Sequence, residues 1–286
     1  RGRKQSPTPI ACWAKNRFVP FIETDNVNAP AVIDKIAGLG PDLILVIAFG
    51  QKIGNDLINL PRLGRAINVH SSLLPKYRGA APINWAIING EKQTGISIIR
   101  LAEKMDAGDI LSQVKTDIVP NETAGQLHDR LAQMAAPLLL ETLGHIAAGT
   151  AVYTKQDHSR ATLAPKLKKS DGFLDFDDSA EALRRRILGL WPWPGAAAVY
   201  VSKKTAKSQQ VTIAMAEVVE SQNPSGAPVG TIDENLNVIC GWNALKIAKI
   251  KPAGSSLMDF KAFVNGRQTR PGDMFMKMGP IPNKSV

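Results

Sequence analysis

Residues 43–49 read LILVIAF, seven consecutive apolar side chains between the breakers Pro41-Asp42 and Gly50. A run this short, with no alternation, suits a strand covered on both faces, as in a parallel sheet flanked by helices. The stretches that follow repeat the theme. Residues 66–69, after Pro61 and Gly64, predict a second short strand ending at His70. Residues 80–89 carry a helical pattern that Gly90 stops, and residues 96–101 and 110–114 predict two further strands around the turn-rich segment 105–109 (MDAGD). Thr123 with Gln126 three residues on is a capping-box pattern. Leu127, Leu131, Met134, Leu138 and Leu139 then recur at helical spacing toward Gly149, with Pro137 expected to kink or divide the helix. Strand–helix alternation of this kind predicts a Rossmann-like, mostly parallel α/β sheet whose sites lie at the carboxyl ends of its strands.

Beyond residue 150 the texture changes. Residues 150–170 lack periodicity and carry Lys155, Arg160, Lys166, Lys168 and Lys169, which predicts a basic linker crossing the surface. Asp178 and Glu181 predict the start of a helix that runs through Leu190 and is stopped by 191–195 (WPWPG). Short strand-like runs at 198–201, 211–219, 229–232, 238–240 and 245–250 suit a small antiparallel barrel. The chain therefore divides into a first domain over 1–149, a linker over 150–170 and a barrel domain from 171.

Charge follows the same division. Residues 1–150 hold 16 basic and 13 acidic side chains, and the remainder 19 and 12, so the second half carries +7 of the net +10. A basic module beside a nearly neutral one fits a polyanionic partner, and fits equally a solvated basic surface. No run approaches the ~18 apolar residues of a membrane span, and no apolar block follows the basic residues 1–5. Cys12 and Cys240 lie far apart without metal-ligand spacing. These features predict a cytoplasmic protein without membrane attachment, and a monomer is expected, though nothing in composition or charge sets the oligomeric state.

The residues that could do chemistry concentrate in 68–82 (NVHSSLLPKYRGAAP). The phosphate loops, the nucleophile elbow and the paired-histidine zinc motif are all missing from the sequence, which argues against nucleotide, hydrolase and catalytic-zinc classes. In a strand, Asn68 and His70 are two residues apart and share a face that opens on the cleft at the strand's end. A carboxamide N–H can hold a developing oxyanion, and an imidazole can move protons near neutral pH. Asp106, in the turn between two later strands, could bring a carboxylate to the same rim and orient the ring. The trio suits acyl transfer to an amine. The plainer alternative is that Asn68 and His70 satisfy loop backbone groups and Asp106 begins an ordinary turn.

Residues 68–82 followed by 105–109 closely resemble the folate-dependent formyltransferases, most specifically the members that act on methionyl-tRNA. The resemblance extends to Arg1-Gly2-Arg3-Lys4, to 164–169 (APKLKK) and to 192–196 (PWPGA), and covers nearly all of 1–279, leaving 280–286 as a tail. It implies a Rossmann-like catalytic domain, a linker and, over 171–279, a tRNA-binding barrel similar to an OB-fold. It further implies transfer of a formyl group from 10-formyltetrahydrofolate to the methionine amino group of initiator tRNA, with no metal. By motif, Asn68, His70 and Asp106 match the catalytic trio, and Ser72, Leu73, Leu74 and Pro75 match the stretch that contacts the folate. Arg1, Arg3, Lys4, Lys166, Lys168 and Lys169 are the candidates for contacts to tRNA.

The same trio serves formyltransferases that act on sugar nucleotides and other small amines, so the basic start, the linker and the barrel are what favour tRNA. Members of the family carry a strand, a helix and a strand ahead of the Arg-Gly-Arg-Lys loop, whereas this sequence begins inside it. The expected sheet is therefore incomplete at its N-terminal side, and a non-catalytic tRNA-binding fragment stays open beside the active enzyme. Arg184, Arg185 and Arg186, fanned around a short helix, are expected to be solvated surface, and Trp191 and Trp193 to pack at the domain junction.

Overall fold

The structure, a computed structural model, describes residues 7–221 and 226–279. Helices α1 (Pro9–Asn16) and α2 (Pro30–Gly38) precede β1 (Leu45–Ile47). There follow α3 (Asn55–Ile58), β2 (Ile67–His70), α4 (Pro82–Ile88), β3 (Gln93–Arg100), β4 (Ile110–Asp117) and α5 (Ala124–Ala147). The four strands form one sheet in the order β1-β2-β3-β4. β1 pairs with β2 in parallel, while the β2–β3 and β3–β4 pairs are antiparallel. The α/β class holds, with a mixed sheet among the described strands. The short turn after β3 returns the chain directly onto its neighbour, so no crossover helix is needed there.

The apolar run at 43–49 yields only three strand residues. β1 pairs with β2 alone, Ala48 turns the chain at φ 47°, and Leu45, Ile47 and Phe49 are 37%, 54% and 45% exposed. The strand expected to be covered on both faces is thus a half-exposed edge among the described residues. β2 is better enclosed. Its Ile67 and Val69 pack with Ile98, Ile146 and Leu138 in the core beneath α5, which leaves Asn68 and His70 on the opposite face.

α5 begins with the expected capping box. The Gln126 backbone N–H donates to Thr123 Oγ1 at 3.3 Å, and the Thr123 N–H donates to Gln126 Oε1 at 3.0 Å. Pro137 neither stops nor divides it. A proline costs a helix interior ~3 kcal/mol, but α5 buries Leu127, Leu131 and Ile146 from both sides of Pro137. At ~1.5–3 kcal/mol for each fully buried aliphatic side chain, that packing outweighs the lost bond.

The second half opens with α6 (Ala180–Leu190), capped by Ser179, whose Oγ accepts from the Ala182 N–H at 3.2 Å. The start falls one residue later than Asp178 because the Ser179 hydroxyl, rather than the Asp178 carboxylate, accepts from the free N–H of the first turn. β5 (Ala196–Val201), β6 (Ser208–Val219), β7 (Val238–Ile239), β8 (Ala244–Pro252), β9 (Met258–Asp259), α7 (Phe260–Arg267) and β10 (Met274–Met276) follow. The antiparallel order is β10-β5-β6-β8-β7, with β9 on β8. Bridges Thr231–Met274 and Ile232–Val238 join the two ends, so the barrel is nearly closed. The predicted run at 229–232 supplies those bridges rather than a full strand. β9, α7 and β10 were not expected, since strands of two or three residues and a helix containing Asn265-Gly266 carry too little pattern to read.

The barrel core joins Leu183 and Ile187 of α6 to Ile213, Ile250, Phe263 and Phe275, with Tyr200 set edge-on to Phe263 at 5.1 Å between centroids. The arginines of α6 are engaged rather than solvated. Arg184 grips both oxygens of Glu181 at 2.9 and 3.0 Å and reaches Asn121 at 3.0 Å, while Arg185 donates to Glu181 at 2.8 Å and Arg186 to the Asp171 carbonyl. The Arg184 guanidinium, foremost, holds the Glu181 carboxyl below the usual range. Trp191 is half-buried and its carbonyl accepts from the Gly125 N–H at 3.1 Å, but Trp193 is 54% exposed and does not pack at the junction.

Among the described residues no helix is long and apolar enough to cross a membrane. The two free thiols differ sharply. Cys12 is exposed, whereas Cys240 is buried, and burial pushes its thiol up to about 12. Since the thiolate is the reactive form, one equivalent of an alkylating reagent is expected to react with the native protein and a second only in denaturant. Rapid labelling of both native thiols, counted by mass, would contradict this burial.

Candidate active site

Asn68 and His70 stand at the carboxyl end of β2, on the face turned away from α5. Their environments differ. His70 is 5% exposed, while Asn68 is half-buried and its carboxamide makes no hydrogen bond to any described residue. The His70 ring is fixed from both sides. Nε2 lies 2.9 Å from the Tyr77 carbonyl, which can only accept, so that nitrogen carries a hydrogen. Nδ1 then faces Asp106, with Oδ2 at 3.6 Å. This is an ionic separation rather than a hydrogen bond. The closer partner of Asp106 Oδ2 is the Gly79 backbone N–H at 2.8 Å. Asp106 itself lies in the left-handed region at φ 52°, a conformation that aspartate adopts more readily than most residues.

The loop after β2 is braced by β3 and β4. Ser97 Oγ donates to the Ser72 carbonyl at 2.6 Å and accepts from the Leu74 N–H at 3.0 Å, while Gln113 Nε2 donates to the Leu74 carbonyl at 3.0 Å. Ser72 Oγ donates to the Lys76 carbonyl at 2.7 Å, and the Ser72 and Leu74 side chains are buried. Of the four residues expected at the folate, Leu73 and Pro75 are therefore the partly exposed ones. The Tyr77 hydroxyl donates to Glu91 at 2.9 Å, and burial, first, raises its phenol above the ordinary value.

The segment predicted as a surface linker is built into this site. The Arg78 N–H donates to the Thr162 carbonyl at 2.8 Å, the Ala164 N–H to the Arg78 carbonyl at 2.7 Å, and the Tyr77 N–H to Thr162 Oγ1 at 2.9 Å. Gln156 donates to the carbonyls of Asp106 and Gly108 and accepts from Arg78. Gly79, inside the motif 68–82, is given no role by the sequence, and Gln156 is not singled out because nothing in a segment without periodicity marks which side chain turns inward. Farther along, Ala164 and Leu167 are buried while Lys166, Lys168 and Lys169 are exposed; the Lys168 backbone N–H donates to Asp171 Oδ2 at 2.6 Å, and none of the three ammonium groups forms a salt bridge among the described residues. Arg1, Arg3 and Lys4 lie outside the described residues. No group of three or more His, Cys, Asp and Glu side chains able to hold a metal occurs among the described residues.

Among the described residues the arrangement is one half-buried carboxamide without a hydrogen-bond partner, with an imidazole and a carboxylate fixed beside it. It can stabilise charge on a carbonyl oxygen and take up a proton beside it.

A formyl transferase family model matches residues 1–143, and a model of the formyl transferase C-terminal domain matches residues 166–268. The chain is 38% identical over 280 residues to a methionyl-tRNA formyltransferase of Citrifermentans bemidjiense, spanning 97% of this chain and 85% of that protein. It is 37% identical over 281 residues to the methionyl-tRNA formyltransferase of Bacillus subtilis, spanning 96% and 86%. Among solved structures, HypX from Aquifex aeolicus in complex with tetrahydrofolic acid superposes with a TM-score of 0.61 at 20% identity, over 90% of this chain and 44% of that one. The sugar 3N-formyl transferase WlaRD, solved in the presence of dTDP and 5-N-formyl-THF, gives 0.61 at 15% identity, over 86% and 82%. At such identities the likeness is one of fold.

Proposed function

The chain belongs to the methionyl-tRNA formyltransferase family, and from that premise we propose that Asn68, His70 and Asp106 form its reaction centre. The enzyme transfers a formyl group from 10-formyltetrahydrofolate to the amino group of methionine on initiator tRNA. One observation carries the reading of the centre: the Asn68 carboxamide, without a hydrogen bond to any described residue, stands at the carboxyl end of β2 on the same strand face as His70, whose Nδ1 lies 3.6 Å from Asp106 Oδ2.

As the methionyl amine adds to the formyl carbon, Asn68 donates to the oxygen on which negative charge develops. His70, in its protonated form, adds positive charge from behind, with Nε2–H spent on Tyr77 and Nδ1 toward Asp106. Asp106 accepts the proton that leaves the amine, directly or through one water. The tetrahedral intermediate then collapses, the bond from the formyl carbon to the folate nitrogen breaks, and that nitrogen takes up the proton as tetrahydrofolate leaves. Ser72, Leu73, Leu74 and Pro75 receive the folate. With Ser72 and Leu74 turned inward, that contact falls to the loop backbone and to Leu73 and Pro75.

Residues 1–149 serve as the catalytic domain, 150–170 as the linker and 171–279 as a tRNA-binding barrel, in a monomeric cytoplasmic enzyme. Two free thiols fit a reducing compartment. Lys166, Lys168 and Lys169, exposed and with ammonium groups in no salt bridge among the described residues, contact tRNA phosphates, and Arg1, Arg3 and Lys4 approach the acceptor end. Each phosphate contact contributes roughly 0.7–0.9 to the slope of log binding constant against log salt. Replacing the three lysines with Ala should therefore weaken tRNA binding and flatten the slope by roughly 2–3. An unchanged slope would return them to plain surface.

The test of acceptor choice is a formyl-transfer assay with charged initiator tRNA beside a sugar-nucleotide amine. Formylated methionyl-tRNA is the expected product. Transfer to the small amine alone would reassign the acceptor, and folate-independent tRNA binding without transfer would leave a binding module.

A further inference from the structure

We propose that Gln156 is a positioning residue that holds the Asp106 turn in its working geometry and ties that turn to the segment leading into the barrel. The inference rests on the reading of Asn68, His70 and Asp106 as the reaction centre.

Gln156 is 7% exposed, and its amide is used to capacity. The two hydrogens on Nε2 go to the Asp106 carbonyl at 2.8 Å and the Gly108 carbonyl at 2.7 Å, while Oε1 accepts from Arg78 Nη2 at 2.6 Å and Nε at 3.2 Å. An amide has two donor hydrogens and two acceptor lone pairs, so no capacity is left over. A buried side chain with this many obligations cannot rotate away without leaving several polar groups unpaired.

What it grips is the backbone at the residue whose carboxylate faces His70. Asp106 sits at φ 52°, a sparsely populated conformation that persists only where the surroundings over-determine it. Two contacts do so: the Gly79 N–H holds the carboxylate at 2.8 Å, and Gln156 holds the carbonyl at 2.8 Å. The Arg78 end of Gln156 belongs to the same loop as Gly79, and Arg78 also reaches His158 Nδ1 at 2.8 Å. Gln156 therefore closes a circuit between the Asp106 turn, the loop after β2 and the 154–165 segment. Displacing that turn would move the carboxylate relative to His70, and a misplacement of about 1 Å can cost on the order of a hundredfold in rate.

The two halves of the contact can be separated. Gln156→Glu keeps the acceptor for Arg78 and strengthens it with charge, but sets a carboxylate against two carbonyls. Gln156→Met fills similar space with neither donor nor acceptor and buries no charge. Steady-state formylation is measured for both variants beside Asn68→Ala and the unaltered protein, with KM for folate and for tRNA, and with thermal melts to establish folding. The proposal expects kcat to fall roughly 10- to 100-fold in both, with each KM within about twofold. A kcat near that of the unaltered protein in either folded variant overturns it. So does a loss confined to the KM for tRNA, which would make Gln156 part of the linker's grip on the acceptor. If the unaltered protein formylates and Asn68→Ala does not, while the Gln156 variants stay active, this inference alone fails. If Asn68→Ala is as active as the unaltered protein, the reading of the centre fails instead.

Discussion

Asn68→Ala is expected to slow formyl transfer at saturating substrates by roughly a hundred- to a thousand-fold, the usual loss of ~3–4 kcal/mol when one oxyanion donor is removed. His70→Ala should lose at least as much. Two features of the structure set this size. The Asn68 carboxamide makes no hydrogen bond to a described residue, so its donor is available to the reacting oxygen without first breaking another contact. His70, by contrast, is 5% exposed and held at 2.9 Å by Tyr77, so its removal also leaves a cavity beside Asp106. The two losses should not add, because both act on the same developing charge. Rapid-quench single-turnover rates measure them, and near-normal rates in both variants would remove these residues from the chemistry.

The second large effect is expected at Gly79. Its φ of +125° is a conformation that residues with a side chain rarely adopt, and a Cβ placed there would lie 2.5 Å from the Ala164 carbonyl oxygen. That neighbour is backbone of the segment bonded to Arg78, and it cannot turn aside. Gly79→Ala must therefore either strain the loop or push the segment away, at an expected ~2–4 kcal/mol. In a protein of this size that corresponds to a fall in Tm on the order of 5–10 °C. Activity should fall further than stability, since the displaced N–H is the one that holds Asp106 Oδ2 at 2.8 Å. At a temperature where the variant is fully folded, kcat is expected to drop by at least about tenfold. A melt and a rate both equal to those of the unaltered protein would mean that the loop is free to move.

The parts of this site that could be read from sequence are those where the chemistry is contiguous. Asn68 and His70 share a face because a strand alternates, and the loop over 71–82 follows that strand directly. The α5 helix was equally legible, from Thr123 and Gln126 at its start to its row of leucines. Pro137 misled because its penalty is local, whereas the packing that overrides it comes from other elements, among them Ile67 of β2 and Ile96 and Ile98 of β3.

The same limit hid Gln156. Its partners Arg78, Asp106 and Gly108 lie 48–78 residues away, and no periodicity marks a side chain that turns inward from an irregular segment. Residues 43–49 misled in the other direction. Their composition called for cover on both faces, but β1 has a neighbour on one side only among the described strands. In the barrel, β6 and β8 are long enough to alternate visibly, while β9 and β10 exist only through their neighbours.

The most direct measurement is a crystal structure of the protein with a non-reacting formyl-folate analogue. The formyl oxygen is expected within hydrogen-bond distance of Asn68 Nδ2, about 2.7–3.2 Å, with the pterin against the loop at Leu73 and Pro75. A formyl group bound out of reach of Asn68, on the barrel or on the far side of the sheet, would contradict the account.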